Sequence, residues 1–459
     1  MKHFYLLLLM ASGVMQSQVD GPILGEFIDN IDHSQCVTAE QRELIFQKLA
    51  VSRQQLTAQG ILPDPDAGRM LGAHPLFEWP MAKNPVVPYE HVWGLSNYVD
   101  HNLSFPNQTQ DWNCGPKTYD TAQGYNHAGM DIFLWPFSWH QFQNNHAWVI
   151  AAADGIIIEK EDGNFDMSCA MGSGQWNAIY IMHPDGSMAW YGHMKAGTLT
   201  EKGIGESVST GEFLGVVGSS GSSTGPHLHF EVYNSAMQLV DPYVGPCNNW
   251  SSSDDTWWAQ QQPYIQPKIN AVLTHSGVPT FPACPQTETP KIKDSFTSSE
   301  TVYGAIYLTD QTVGSTGVLQ LKRPNGTTAY LSNFNSTAAY SASYWYWVFT
   351  PSYFDMYGTW VLSFSYNGNL VEHQFVYGSD LGIDDQGNPQ SIAFYPNPAT
   401  DRIAFAKEIT RLEVYNIDGK QLQIPYDAGS ADVSGLPKGV FLLRGNHLSG
   451  KQFTAKLIK

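Results

Sequence analysis

The chain has 459 residues and carries 24 Lys and Arg against 42 Asp and Glu, a formal net charge of −18. The length allows about three domains, and an aromatic content of 13% fits abundant β-structure rather than disorder. The acidic balance argues against nucleic acid and against electrostatic adhesion to anionic wall polymers, because phosphate-rich partners call for basic surfaces; a neutral or peptide-like partner fits better.

Met1-Lys-His-Phe-Tyr-Leu-Leu-Leu-Leu-Met10 joins a short basic start to an apolar run, followed by small and polar residues through Ser17 and Gln18. The run is too short to span a membrane and reads as a secretory signal peptide over residues 1–17. No later apolar stretch approaches membrane length, so the mature form is expected to have no transmembrane segment. Export gives the five cysteines meaning, since disulfides persist in oxidising compartments. Cys114 and Cys169 flank the first group of candidate ligands and one insertion, while Cys247 and Cys284 flank the exit from that domain. Those two pairings are expected, with Cys36 left over. The absence of Cys-x-x-Cys spacing argues against a cysteine zinc site.

Thr38-Ala-Glu-Gln41 is a capping-box pattern that opens a helix to about Gln59, with Gly60 as its stop. Pro63-Asp-Pro65 and Gly68 then read as a linker. Residues 18–75 form either an ordered helical arm or a propeptide that covers a groove.

The chemistry gathers in the next segment. His127-Ala-Gly-Met-Asp131 places an imidazole and a carboxylate four residues apart, on one face of a helix or, as Gly124 and Gly129 suggest, in a loop entering a strand. Ile179 to His183, the turn Pro184-Asp-Gly186, and Met188 to Met194 read as a hairpin that carries Tyr191 and His193. Gly218 to Pro226 is a Gly/Ser-rich loop without the Gly-Lys-Ser/Thr ending of a phosphate cradle, so nucleotide binding is not expected. It feeds a strand, His227-Leu-His-Phe-Glu-Val-Tyr233, in which alternation puts His227, His229 and Glu231 on one face and Leu228 and Phe230 on the other. Together these groups offer donors for a three-ligand catalytic zinc and two spare imidazoles to move protons. His183 sits at a hairpin corner and reads as a turn residue.

His-x-Gly-x-Asp, a Tyr-x-His strand, and a Gly-rich loop leading to Gly-Pro-His-Leu-His-Phe-Glu resemble, in this order, the lysostaphin/LytM-type zinc metallopeptidases. The resemblance covers roughly Leu76 to Tyr233. It implies a mainly β fold, an antiparallel sheet with zinc in a groove, within a domain over residues 76–250. It further implies that His127, Asp131 and His229 hold Zn2+, while His193 and His227 line the cleft without binding metal. His227 is then expected to take the proton of the attacking water and His193 to hydrogen-bond the oxyanion, roles that can be exchanged. Tyr191 is expected to be half core and half substrate groove. Glu231 lacks the helical His-Glu-x-x-His spacing of a glutamate base and reads as a supporting or rim residue. Pro136 to Asn145 and Glu161 to Gly174 are insertions relative to the shortest relatives, and they bear on specificity.

From Pro285 to Gly378 short alternating strands with turn signals at Pro324-Asn-Gly326 and Tyr366-Asn-Gly368 suggest an immunoglobulin-like β-sandwich. Trp360, Leu362, Phe364 and Tyr366 share its inner face. Tyr344-Trp-Tyr-Trp347 reads as core packing before carbohydrate platform. After a linker at 381–390, Phe394-Tyr-Pro-Asn-Pro-Ala-Thr-Asp401, Leu412-Glu-Val-Tyr-Asn-Ile-Asp-Gly-Lys420, Leu436-Pro-Lys-Gly-Val-Phe-Leu-Leu443 and Lys456-Leu-Ile-Lys459 resemble the C-terminal sorting domain of proteins exported by the type IX machinery of Bacteroidota, here over residues 390–459. That resemblance implies export through the outer membrane, with release or surface attachment. The expectation is a secreted zinc endopeptidase acting on peptidoglycan cross-bridges or stem peptides. The alternatives are an endopeptidase of glycine-rich, elastin-like extracellular protein and a non-catalytic wall-binding or adhesin module.

Overall fold

Alternating apolar residues dominate the chain, and the computed structural model is accordingly built on β-sheets. It describes residues 23–26, 36–63, 73–172, 174–248, 250, 256–282, 284, 287–378, 394–405, 408–416, 420–448 and 452–459. The expected signal peptide and the 381–390 linker lie outside them. The chain divides into two units, residues 1–380 and 381–459. No helix among the described residues is long and apolar enough to cross a membrane.

The site is carried by an eight-stranded antiparallel sheet whose central strand, His227–Tyr233, lies between Met130–Leu134 and Met188–Gly192. Its register sets Asp131 opposite His229 on one side and Gly192 opposite His229 on the other. Because side chains alternate across the sheet, the underside of that strand, Leu228, Phe230 and Val232, joins the main apolar core. The hairpin Ala178–Met182 and Met188–Gly192 forms around the turn at residues 184–186 as the sequence indicates.

Against the opposite face lies the helix Ala39–Ala58. Thr38 caps it, accepting a hydrogen bond from Gln41 N while the Gln41 side chain accepts from Thr38 N. Ile45, Leu49, Ser52 and Leu56 recur at helical spacing and are buried. The three apolar ones pack with Ile158, Tyr180, Met182, Met188 and Trp190 of the sheet, and Ser52 Oγ donates to Ile158 O. Gly60, at φ +72°, ends the helix in a conformation that costs glycine little.

The second half of this unit is a two-sheet sandwich. One sheet holds Ser295–Phe296, Asn369–Tyr377, Gly358–Tyr366, Thr316–Lys322 and Thr328–Asn335; the other holds Ile23–Glu26, Tyr340–Phe349, Val302–Gln311 and Lys268–His275. Sheet pairing therefore draws in Lys268–His275 and an N-terminal strand as well as residues after 285. Trp360, Leu362, Phe364 and Tyr366 face the sandwich core, and Trp345 and Trp347 also pack on it. Tyr344 and Tyr346 face the other way, onto the apolar core of the first sheet, which also takes in Ala305, Tyr307 and Ala342. The four aromatics thus fasten the two halves together. Trp360→Ala is expected to cost about 3–5 kcal/mol, read as a loss of stability in urea unfolding; a change under about 1 kcal/mol would contradict this packing.

Disulfides join Cys114 to Cys247 and Cys169 to Cys284. This corrects the expected pairing of Cys114 with Cys169 and Cys247 with Cys284. Neighbours along the chain are not neighbours in space here. The segment leaving the first sheet returns beside the Asp111–Gly115 turn, where Cys247 N donates to Trp112 O at 2.9 Å. Cys36 is unpaired and buried.

The C-terminal unit contains two small sheets, Phe394–Tyr395 with Arg402–Phe405 and Ser430–Asp432, and Gln421–Leu422 with Ile409–Asn416, Val440–His447 and Gln452–Ile458. Ile403, Val414, Ala431, Val433, Leu443, Phe453 and Leu457 form its core.

Candidate metal centre

Five side chains from four places in the sequence converge. His127 lies just before the strand that carries Asp131, His193 just after the strand that ends at Gly192, and His227 and His229 on the central strand. His127 Nε2 is 3.0 Å from Asp131 Oδ2 and 3.4 Å from His229 Nδ1, and His229 Nδ1 is 2.7 Å from Asp131 Oδ1. His127, His193 and His229 have no exposed surface, and Asp131 has almost none.

The hydrogen bonds around this cluster fix which atoms face inward. His127 Nδ1 donates to Tyr98 O at 2.7 Å, leaving Nε2 toward the cluster. His229 Nε2 is held by Glu231 Oε1 at 2.8 Å, leaving Nδ1 toward it. Asn97 Nδ2 donates to Asp131 Oδ2 at 3.1 Å. Two imidazole nitrogens and a carboxylate oxygen, each backed by an outer partner, are a donor set that zinc takes in catalytic sites. Donors about 2.0 Å from a tetrahedral ion lie about 3.3 Å apart, close to the separation of the two nitrogens. Burial would raise the Asp131 pKa, but the charges and hydrogen bonds of His127 and His229 outweigh it and hold the carboxylate well below its ordinary range.

The other two imidazoles are oriented differently. His193 Nδ1 donates to Ser220 O at 2.6 Å and His227 Nδ1 donates to Gly225 O at 2.8 Å. Their rings lie 4.4 Å apart. His193 Nε2 is buried with no hydrogen-bond partner, and His227 Nε2 lies 3.7 Å from Asp131 Oδ1. His193 has φ +60°, an uncommon conformation for a residue with a side chain. That break in the strand turns it toward the cluster.

Tyr191, expected to be half core and half groove, lies wholly in the apolar core. It is opposite Phe230 in the ladder, on the underside of the sheet, and its hydroxyl accepts a hydrogen bond from Ala152 N at 2.8 Å. The alternation that would have put Tyr191 and His193 on one face ends at Gly192. Glu231 is a supporting residue: Arg42 of the N-terminal helix meets it with two hydrogen bonds, at 2.6 and 2.8 Å. His183 is indeed a turn residue, with Nδ1 donating to Asp154 O.

Several parts of the site carry no signal in local sequence. Asn97 reaches Asp131 only because their strands pair. Trp176 packs edge-on to His193, 5.2 Å between ring centroids, and needs Gly192, where an added Cβ would sit 2.3 Å from its ring. Gly129 is needed for the same reason, since a Cβ there would lie 2.7 Å from His229 Nε2. Cys36, legible only as the odd cysteine, also lies at the cluster.

Replacing Glu231 with glutamine keeps the shape but removes the charge that aligns His229 and pairs Arg42. Zinc affinity in competition with a chelator is expected to fall about 10- to 100-fold; an unchanged affinity would rule out this supporting role.

The site is a buried cluster of metal-ligand side chains on an antiparallel sheet, and parts of the chain match known families. Residues 126–242 match Peptidase family M23, and residues 393–459 match the Secretion system C-terminal sorting domain. The chain thus carries an M23 peptidase domain and a C-terminal sorting domain. It is 40% identical over 83 residues to the DD-carboxypeptidase/endopeptidase Mpg of Neisseria meningitidis serogroup B, covering 18% of this chain and 16% of that protein. It is 33% identical over 109 residues to the glycyl-glycine endopeptidase ALE-1 of Staphylococcus capitis, covering 24% of this chain and 25% of that one. The matches therefore span a quarter or less of these relatives. Among solved structures, the catalytic domain of lysostaphin from Staphylococcus simulans aligns at 27% identity over 27% of this chain and 83% of that chain, with a TM-score of 0.20.

Proposed function

We propose that the protein is an exported zinc endopeptidase that cuts peptide bonds in peptidoglycan cross-bridges or stem peptides. The observation that carries this reading is the division of labour in the cluster. His127, Asp131 and His229 converge as ligands, while His193 and His227 keep their Nε2 atoms toward the same space with their Nδ1 atoms tied to backbone carbonyls. Zinc, when bound, supplies a Lewis acid and lowers the pKa of a water to about 7.

The chain's own groups do the rest. His227 accepts a proton at Nε2 and returns it to the leaving amine. His193, once protonated at Nε2, donates to the developing oxyanion, and its bond to Ser220 O keeps the ring in place. The peptidoglycan reading draws on the two curated relatives, one named for glycyl-glycine bonds and the other as a DD-carboxypeptidase/endopeptidase. It also draws on the net charge of −18, which disfavours polyanionic substrates. The sorting domain supports delivery by type IX machinery to the outside of the cell, free or surface-attached. In this reading residues 76–250 are catalytic, 285–378 supply most of an immunoglobulin-like sandwich, and 390–459 are the address.

The test is digestion of purified sacculi, with elastin in parallel, by zinc-quantified protein with and without a chelator. The Cys36 thiol lies among the donor atoms of the cluster, so the chain carrying Cys36→Ala is run alongside. New amine termini from sacculi that require zinc support the proposal. Zinc-dependent cleavage of elastin alone would move the substrate to glycine-rich protein, and no cleavage of either by zinc-loaded chains would favour a binding module.

A further inference from the structure

Cys36 is a buried member of the apolar cluster beneath the N-terminal helix and forms no disulfide, but its thiol lies among polar donors. Its Sγ and the donor atoms of His127, Asp131 and His229 form a group whose members all lie within 4.8 Å of one another. It forms a second group, equally tight, with His193 and His227. One thiol therefore faces both the expected ligands and the expected proton-transfer residues. A separate observation marks the same space: His193 Nε2 is fully buried and has no hydrogen-bond partner. A sulfur ligand also suits the ion, since zinc accepts thiolate beside imidazole and carboxylate.

The local structure explains how the thiol is held there. Cys36 precedes the helix cap at Thr38 by two residues, so the docking of the helix determines where it sits. That docking is strong. Besides the apolar stripe, Arg42 pairs with Glu231, Phe46 packs edge-on to Trp190 and Tyr233, Gln41 Nε2 donates to Gly174 O, and Lys48 meets Glu161. Glu231 in turn holds His229 Nε2. One carboxylate therefore links the position of the helix to the orientation of a metal ligand. The Tyr119 hydroxyl lies 2.7 Å from Cys36 Sγ, where it can donate to a thiolate, and its ring stacks on His127.

We infer that Cys36 is a fourth ligand of the metal and that the N-terminal segment keeps the enzyme latent by filling the coordination position that water and substrate require. The inference rests on the zinc reading proposed above. On binding, the S–H bond is exchanged for a sulfur–metal bond and the proton passes to solvent. Withdrawal of the segment reopens the position. Alkylation by iodoacetamide does so as well, forming a carbon–sulfur bond and expelling iodide, which makes the sulfur a far poorer ligand.

The experiment uses the full chain, the full chain carrying Cys36→Ala and that carrying Cys36→Ser, each loaded with Co2+ and with Zn2+. The expected result is one metal per chain in all three. A thiolate-to-cobalt charge-transfer band in the near ultraviolet and a sulfur scatterer at about 2.3 Å from zinc should appear only where Cys36 is present. Iodoacetamide should label Cys36 slowly in the zinc-loaded unsubstituted chain and at least about tenfold faster after chelation, a readout that needs no substitution. One metal held by nitrogen and oxygen alone in the unsubstituted chain, or labelling indifferent to zinc, would overturn the role of Cys36 and leave the zinc site standing. No metal in any of the three chains would overturn the zinc reading, and this inference with it.

Discussion

Substituting His229 with alanine empties the site of zinc and abolishes hydrolysis. His229 is fully buried, and its Nδ1 is the donor that brings His127 and Asp131 together, at 3.4 and 2.7 Å. Made in the Cys36→Ala chain, so that the thiol cannot stand in, the substitution leaves two ligands, too few for the three that catalytic zinc normally takes from the protein. Supporting residues around metal sites are each worth about 10- to 100-fold in affinity, so loss of a ligand should exceed that range. Asp131 and Glu231 also lose a buried hydrogen-bond partner. The check is zinc per chain by mass spectrometry after dialysis against micromolar zinc. Near-zero occupancy is expected, and full occupancy would remove His229 from the ligand set.

Substituting His193 with alanine has the complementary result: zinc stays and turnover falls. No atom of His193 is placed to complete the three-donor group, and its Nδ1 is spent on Ser220 O. What is lost is an imidazole with a bare Nε2 at the reacting centre. Proton transfer by a positioned side chain contributes about 10²- to 10⁴-fold, and kcat is expected to fall within that range at unchanged zinc content. A rate within a few fold of the parent would make His193 structural, as would zinc lost in parallel with activity. Paired with His229→Ala, this substitution separates holding the metal from moving the proton.

The sequence was most informative where function repeats with the period of the strand. His227 and His229 flank an apolar Leu228, so one face of the strand had to be polar and the other core; the ladder places Leu228 and Phe230 in the core as that alternation requires. The helix at Ala39–Ala58 was equally legible, because Thr38 and Gln41 form the capping box and Gly60 the stop. The core half of the Tyr191 reading was legible and the groove half was not, because alternation holds only while the strand does, and His193 at φ +60° leaves it. The disulfide pairing failed for a related reason: which cysteines meet depends on how the chain returns to the sheet after residue 240, and spacing along the sequence does not encode that path. Asn97 and Trp176 join the site only through sheet register and insertion packing. The place of Cys36 follows from the docking of Arg42 onto Glu231.

The most direct test of the account is hydrolysis of sacculi as a function of zinc bound, measured on the full chain carrying Cys36→Ala and titrated from the metal-free state. The account predicts that release of amine termini rises in proportion to bound zinc and saturates at one ion per chain. Hydrolysis that persists in metal-free protein would contradict it, as would one tightly bound zinc that brings no hydrolysis of sacculi or of any peptide substrate.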